Sequence, residues 1–186
     1  MDHLWLIRHG ETEWSVSGAH TGSTDIPLTE VGRRQAVGLG DYLARHSFAT
    51  VLSSPLSRAL DTARLAGFDP VIDPDLCEWD YGAYEGRKTA EIRNERPGWS
   101  LWRDGVPEGE CVEDVARRAQ RVIAKAAQSD GDVALFAHGH FLRVLAACWV
   151  ELPPTEGRVL ALGTASISTL GYERETAVVL RWNLQL

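Results

Sequence analysis

Apolar residues along this chain follow two rhythms. The runs at 3–8, 49–53 and 132–137 are apolar almost throughout, which marks strands buried on both faces. Two further runs, at 165–170 and 176–183, are rich in β-branched and aliphatic residues and add two strands. Val71-Ile72 is a sixth, shorter candidate. Helical spacing fills the intervals. Thr29 can cap a helix running to about His46, and Ser54 as cap with Pro55 as first residue predicts another to about Ala66. Val112, Val115, Ala116, Ala119, Val122, Ile123 and Ala126 keep a single helical face. Phe141 to Val150 reads as a buried helix stopped by Pro153-Pro154. Strands alternating with helices predict an α/β fold, a three-layer α/β/α sandwich around a mostly parallel, roughly six-stranded sheet. The stretch from about 80 to 110 breaks both rhythms. It sets Trp79, Tyr81, Tyr84, Trp99 and Trp102 among glycines and charges, and reads as an excursion over the sheet's edge that could form a lid.

At 186 residues the chain fits a single domain, 1–186, with no repeat or linker. A net charge of −7 argues against nucleic acid or an anionic membrane as partner, and means that an anionic substrate needs a local basic pocket. No run approaches about 18 apolar residues, and the N-terminus reads as a strand rather than a signal peptide. Cys77, Cys111 and Cys148 fit neither a disulfide framework nor a paired motif, so reduced thiols and a cytoplasmic location are expected.

Candidate chemistry sits at the ends of two apolar runs. Leu4-Trp5-Leu6-Ile7 leads into Arg8-His9-Gly10-Glu11-Thr12, and Val133-Ala134-Leu135-Phe136-Ala137 leads into His138-Gly139-His140. Two imidazoles delivered by two strand ends can meet in the crevice where open α/β sheets hold ligands. A neutral imidazole is a competent nucleophile toward phosphorus, and His9 is the candidate. A transferring phosphoryl group spreads negative charge over three oxygens, so positioned cations supply most of its catalysis. Arg8 adjoins His9, Arg58 lies in the first turn of the helix after Ser54-Pro55, and a protonated His138 would be a third donor. Taken singly, each of these residues reads as ordinarily as a satisfied core histidine or a surface arginine. Their matching placement on separate strands is what sets them apart.

These motifs resemble the histidine phosphatase superfamily, which includes the cofactor-dependent phosphoglycerate mutases. The resemblance runs in order through Arg8-His9-Gly10-Glu11-Thr12-x-Trp14, Thr21-Gly22-x-x-Asp25-x-Pro27-Leu28-Thr29, Ser53-Ser54-Pro55-Leu56-x-Arg58-Ala59-x-x-Thr62-Ala63 and Ala137-His138-Gly139-His140. It implies that His9 is phosphorylated while Arg8, Arg58 and His138 hold the phosphate. Thr21 and Gly22 would line the substrate side, partly through backbone amides. Composition cannot choose the proton donor among 26 Asp and Glu. The segment Glu78-Trp79-Asp80-Tyr81-Gly82-Ala83-Tyr84-Glu85-Gly86 resembles the one whose first glutamate has that role, which implies Glu78, with Asp80 and Glu85 as structural partners.

Departures from the mutase pattern favour hydrolysis. Ser15 and Gly18 stand where mutases usually carry asparagine, His140-Phe141 replaces Asn-Ser, and the stretch between Gly86 and Cys111 is short for a basic substrate clamp. The chain is most similar to the acid phosphatase and sedoheptulose-bisphosphatase-like branch, with Trp99-x-x-Trp102-x-x-Gly105 and Ala137-His138-Gly139-His140. The aromatic residues could wall a pocket for a sugar phosphate, with His20, Arg103 or His140 on its polar parts, or could simply glue the excursion to the core. The expected activity is a phosphomonoesterase that needs no metal and no cofactor, with a small phosphorylated substrate and an assembly that could be a homodimer. Three alternatives stand beside it. They are a phosphoglycerate mutase, a zinc hydrolase built on His9, His138 and His140 without any supporting ligand spacing, and a phosphate-binding module that has lost its chemistry.

Overall fold

The computed structural model describes residues 1–186. Its elements in chain order are β1 (Leu4–Arg8), α1 (Glu13–Ser17), α2 (Glu30–Leu43), β2 (Thr50–Ser53), α3 (Ser57–Leu65), β3 (Val71–Ile72), α4 (Thr89–Glu95), α5 (Leu101–Asp104), α6 (Val112–Ala126), β4 (Val133–Ala137), α7 (Gly139–Trp149), β5 (Ile167–Glu173) and β6 (Thr176–Leu184). The six strands form one sheet in the order β3-β2-β4-β1-β5-β6. The first four are parallel, and β5 and β6 run antiparallel at one side, so the sheet is mixed but mostly parallel.

Side chains alternate across the central strands and so build two cores. Leu4 and Leu6 of β1, Leu52 of β2 and Val133, Leu135 and Ala137 of β4 pack with α6 and α7. Trp5, Ile7, Ala134, Phe136 and Ile167 face the other way, against Leu39 and Leu43 of α2 and Ala63 of α3. Because both faces are covered, the strands read as unbroken apolar runs instead of alternating ones. No helix is long and apolar enough to cross a membrane.

Two boundaries differ from expectation for a physical reason. Ser54 does not cap the helix after it. Its Oγ meets His138 Nε2 at 2.8 Å, Pro55-Leu56 stay outside the helix, and α3 starts at Ser57, whose N–H donates to Asp25 Oδ1 at 2.8 Å. The helix expected from Phe141 starts earlier, at Gly139, directly after the strand-end His138. Residues 80–110 also hold two short helices, α4 and α5, that no periodicity announced.

Candidate active site

Register places the chemistry. Arg8 pairs with Ala137 across β1 and β4, and Ser53 pairs with Phe136 across β2 and β4, so three parallel strands end level with one another. His9, His138 and Ser54 each follow such an end, and the His9 and His138 ring centroids lie 5.2 Å apart. The two strand-end histidines thus meet at the carboxyl edge of the sheet.

His9 is nearly buried, and its Nδ1–H donates to the Gly10 carbonyl at 2.7 Å. That bond fixes the tautomer and leaves the Nε2 lone pair without a partner in the protein. Burial, with Arg8 and Arg58 close by, lowers the His9 pKa well below the usual histidine value, so the ring is neutral. The next residue is anchored through Thr62 of α3, whose Oγ1 accepts from Gly10 N at 3.0 Å and donates to Arg58 O at 2.6 Å.

Arg58 is fully buried without a carboxylate bonded to it. Nη1 donates to Thr24 O, Nη2 to Thr21 O and Gly22 O, and Nε to His138 Nδ1 at 3.2 Å. Because Nε–H can only donate, His138 Nδ1 must accept, and its proton sits on Nε2, directed at Ser54 Oγ. Burial and the neighbouring Arg58, His9 and Arg8 lower the His138 pKa well below normal. Without an anion the ring is therefore neutral, because an imidazolium here would be buried against two guanidiniums, and His138 would be a third charged donor only once protonated. Arg8 donates through Nη1 to the Leu162 carbonyl, and its buried Nε has no partner. Gly139 lets that guanidinium lie close, since a Cβ there would stand 3.2 Å from Arg8 Cζ.

A cleft of about 350 Å³ opens in front of this cluster. Arg8, His9, Thr21, His20, Glu78 and His140 all line it, whereas Arg58 and His138 are fully buried next to His9 and outside the lining. Glu78 closes one side. Its Oε1 accepts from Trp79 N at 2.9 Å and Phe141 N at 2.8 Å, and its Oε2 from His140 N at 3.0 Å. The last two N–H groups are unpaired donors of the first turn of α7, where the N-cap His138 gives no side-chain bond. Tyr81 OH lies 2.6 Å from His140 Nδ1. Burial first, then the Glu78 charge, raises the Tyr81 pKa far above normal, so the phenol donates and the His140 proton sits on Nε2. Burial, with Arg143 and His20 near, likewise keeps His140 neutral.

Two expected substrate contacts lie elsewhere. The Gly22 N–H is taken by Glu85, at 2.9 Å and 3.0 Å to its two oxygens, so it offers no free amide, and Gly22 is outside the cleft. Glu85 thus has the structural part expected of it, as does Asp80, which accepts from Gly82 N at 2.9 Å. Arg103 is exposed on α5, paired with Asp104 and bonded to the Gly98 carbonyl. Its hydrogen bond holds the Asp104 carboxyl down to about 2, so Arg103 belongs to a surface ion pair outside the cleft. No three His, Cys, Asp or Glu side chains converge in a way that could hold a metal ion.

The profile of the histidine phosphatase superfamily (branch 1) matches residues 4–185. The chain belongs to this superfamily. It is 45% identical over 184 residues to an acid phosphatase of Mycobacterium tuberculosis, across 95% of this chain and 91% of that protein. It is 38% identical over 182 residues to the sedoheptulose 1,7-bisphosphatase of Saccharomyces cerevisiae, across 79% of this chain and 67% of that protein. Among solved structures, the product of a Mycobacterium tuberculosis open reading frame superposes with a TM-score of 0.95 at 42% identity, over 99% of this chain and 98% of that one. A mycobacterial glucosyl-3-phosphoglycerate phosphatase, solved with vanadate, gives 0.89 at 31% identity over 100% of both chains.

Several residues of this superfamily member escaped sequence reasoning. Arg143 lines the cleft three residues after His140 on α7, a spacing that puts both on one helix face and could have been read. It stacks over Trp102, 4.7 Å from the ring centroid, and bonds the Gly157 and Arg158 carbonyls. Arg93, tethered through Nε to the Trp99 carbonyl, sits in an excursion helix without a readable period. Ser15 and Gly18, which the sequence itself singles out as departures from the mutase pattern, line the cleft as well. Ser15 closes the capping box of α1 with Thr12, and Gly18 ends that helix in the left-handed region.

Proposed function

We propose that this chain is a metal-independent phosphomonoesterase that works through a phosphohistidine on His9. The observation that carries the proposal is the unbonded Nε2 of His9, which lines the cleft beside Arg8, with Arg58 buried nearby and neither arginine paired to a carboxylate. In a protein of net charge −7 this is a local site for a dianion.

In the first step the His9 Nε2 lone pair attacks phosphorus and the bond from phosphorus to the ester oxygen breaks. Glu78 acts as the general acid, passing a proton to that oxygen, and the alcohol leaves. Oε2 suits this task because it accepts one backbone N–H, whereas Oε1 accepts two. In the second step water attacks phosphorus, Glu78 takes its proton, and the P–N bond breaks to release inorganic phosphate and neutral His9. Arg8 neutralises charge at the front. Arg58 and His138, buried beside His9, add to this, since an incoming dianion offsets the two guanidiniums and favours protonation of His138.

The leaving group faces Trp14, Trp99, Trp102, Arg93 and Arg143, aromatic faces with two tethered cations. This wall suits a sugar phosphate, in keeping with the names of two of the relatives. Ser15 and Gly18 bring no side-chain amide to the cleft, which favours hydrolysis over returning the phosphoryl group to a bound acid. The three unpaired cysteines suit a reducing, cytoplasmic setting.

Phosphorus NMR tests the proposal directly. The enzyme is given 3-phosphoglycerate with bisphosphoglycerate, a sugar bisphosphate, and an aryl phosphate in separate reactions. Inorganic phosphate should grow in at least the last two without 2-phosphoglycerate in the first. Rapid formation of 2-phosphoglycerate would replace hydrolysis by mutase chemistry, and no turnover of any ester would leave only phosphate binding.

A further inference from the structure

Glu78 sits in an irregular segment between Leu76 and Tyr81 that has no ladder or helix of its own to fix it. Its carboxyl is held by amides of Trp79 and of α7, and its backbone is fixed from α6. The Arg118 guanidinium donates through Nη1 to the carbonyls of Asp75 and Cys77, both at 2.8 Å, and through Nη2 to the carbonyl of Glu78 itself at 3.2 Å. It is held in turn by a bidentate pair with Glu110, Nε to Oε1 at 2.8 Å and Nη2 to Oε2 at 2.7 Å. Glu110 grips the far side of the same segment, accepting from Asp80 N at 3.0 Å through Oε2 and from Trp79 Nε1 at 2.9 Å through its backbone carbonyl. Arg118 also lies over the Phe141 ring, 5.1 Å from its centroid, and the Phe141 amide is one of the three that hold the Glu78 carboxylate. Arg118 does not reach the cleft.

We propose that Arg118, locked by Glu110, is a positioning residue for Glu78, fixing where its carboxyl stands relative to the departing oxygen. The inference rests on the proton-donor role proposed for Glu78. Five donors in a planar fork allow one side chain to bind three carbonyls and a carboxylate together, which a lysine cannot reproduce. A carboxyl displaced from the leaving oxygen loses proton transfer first, so the loss should fall on esters whose alcohol is a poor leaving group.

The test compares kcat/KM for glycerol phosphate and for 4-nitrophenyl phosphate in the wild type, Glu78→Gln, Arg118→Met, Arg118→Lys and the Glu78→Gln/Arg118→Met double variant. Thermal unfolding and vanadate affinity are followed in each. Arg118→Met should lower the alkyl reaction about tenfold more than the aryl one, a fraction of what losing the acid outright removes. Arg118→Lys should recover little of it. In the Glu78→Gln background the selective loss should vanish, because both changes then act on one proton transfer. Equal losses on the two esters, or a selective loss that persists without Glu78, would overturn the inference while leaving Glu78 as the acid. If Glu78→Gln itself shows no preference for alkyl esters, the acid role fails and this inference with it. Should Arg118→Met not fold, Glu110→Gln keeps the arginine and loosens its anchor. It should show the same selectivity in smaller measure, and its absence would count against positioning.

Discussion

The wall of the cleft that carries Arg8 and His9 hangs from the ends of β1 and β4, strands whose side chains are almost all buried. The facing wall, from Glu78 to Trp102, has no strand. It is assembled from short turns and the helices α4 and α5, held by bonds from side chains to backbone such as Trp79 Nε1 to Glu110, Trp99 Nε1 to Gly105 and Arg93 to Trp99. On the first wall geometry is inherited from the sheet, and a side chain sits where its register puts it. On the second each position depends on a few tertiary bonds, so the wall can change with substrate while the phosphate end stays the same. Attack on phosphorus should therefore fail when the first wall is altered, and selectivity when the second is altered anywhere but at Glu78, the one residue there with a proposed chemical role.

The largest effect on this division is expected at His9. His9→Ala removes the proposed nucleophile and should lower turnover of every ester by more than about a thousandfold, with a cooperative thermal transition retained. Initial rates on an aryl phosphate check it, and robust residual activity would mean that the strand-end wall does not supply the attacking atom. A smaller effect is expected at Gly139, where an alanine Cβ would stand 3.2 Å from Arg8 Cζ and 3.3 Å from Nε. Gly139→Ala should displace the guanidinium by a few tenths of an ångström and lower kcat/KM about tenfold on alkyl and aryl esters alike, with little change in KM. A loss confined to one ester would place Arg8 on the selective side of the cleft instead.

The same division decides what the sequence could disclose. β1 and β4 are unbroken apolar runs ending in Arg-His-Gly and His-Gly-His, so strand, site and residue types coincide in a few adjacent letters. Thr29 capping α2 is equally local, its Oγ1 accepting from Gly32 N at 3.0 Å. Ser54 misleads because the bond that decides its role reaches His138, 84 positions away. Arg103 misleads because α5 has 4 residues, too few for a period to tell which face meets the cleft. Arg93 was hidden in the same way, and Arg118 sits on a well-predicted helix but acts through carbonyls that no pattern of side chains reveals. Residues fixed by neighbours in sequence were legible, whereas of those fixed across the fold Arg58 and Glu78 were reached through family motifs and Arg93 and Arg118 not at all.

On the facing wall, Trp102 packs edge-on to Trp79 at 5.7 Å, lies 5.4 Å from His140 and carries Arg143 over its face. Trp102→Ala should raise KM for a sugar phosphate several-fold, roughly the worth of one aromatic contact, and leave kcat for an aryl phosphate nearly unchanged. Steady-state kinetics on both substrates separate the outcomes. A fall in kcat with KM unchanged would mean that the aromatic wall takes part in the chemistry and that the two walls are not independent.

The smallest effect is on stability as pH falls. Burial is the main reason that His9, His138, His140 and His20 all have pKa values below the ordinary histidine value. Between that ordinary value, about 6.5, and the lowered folded values, the unfolded chain binds protons that the folded one does not. Stability is therefore undiminished by these groups above about 6.5 and is lost progressively as pH drops toward the folded values. Thermal unfolding followed from about pH 7.5 to 5 should show a falling Tm, beyond what a His140→Gln variant shows with one such group removed. Vanadate or phosphate then separates the walls. An anion beside His9 and His138 offsets the two guanidiniums and lets those rings take protons in the folded state, so it should flatten their share of the slope. The share of His140 and His20, held by the excursion, should remain. A slope abolished completely by the anion would mean that all four rings answer to one site, and the contrast between a fixed phosphate end and a separately built substrate end would fail.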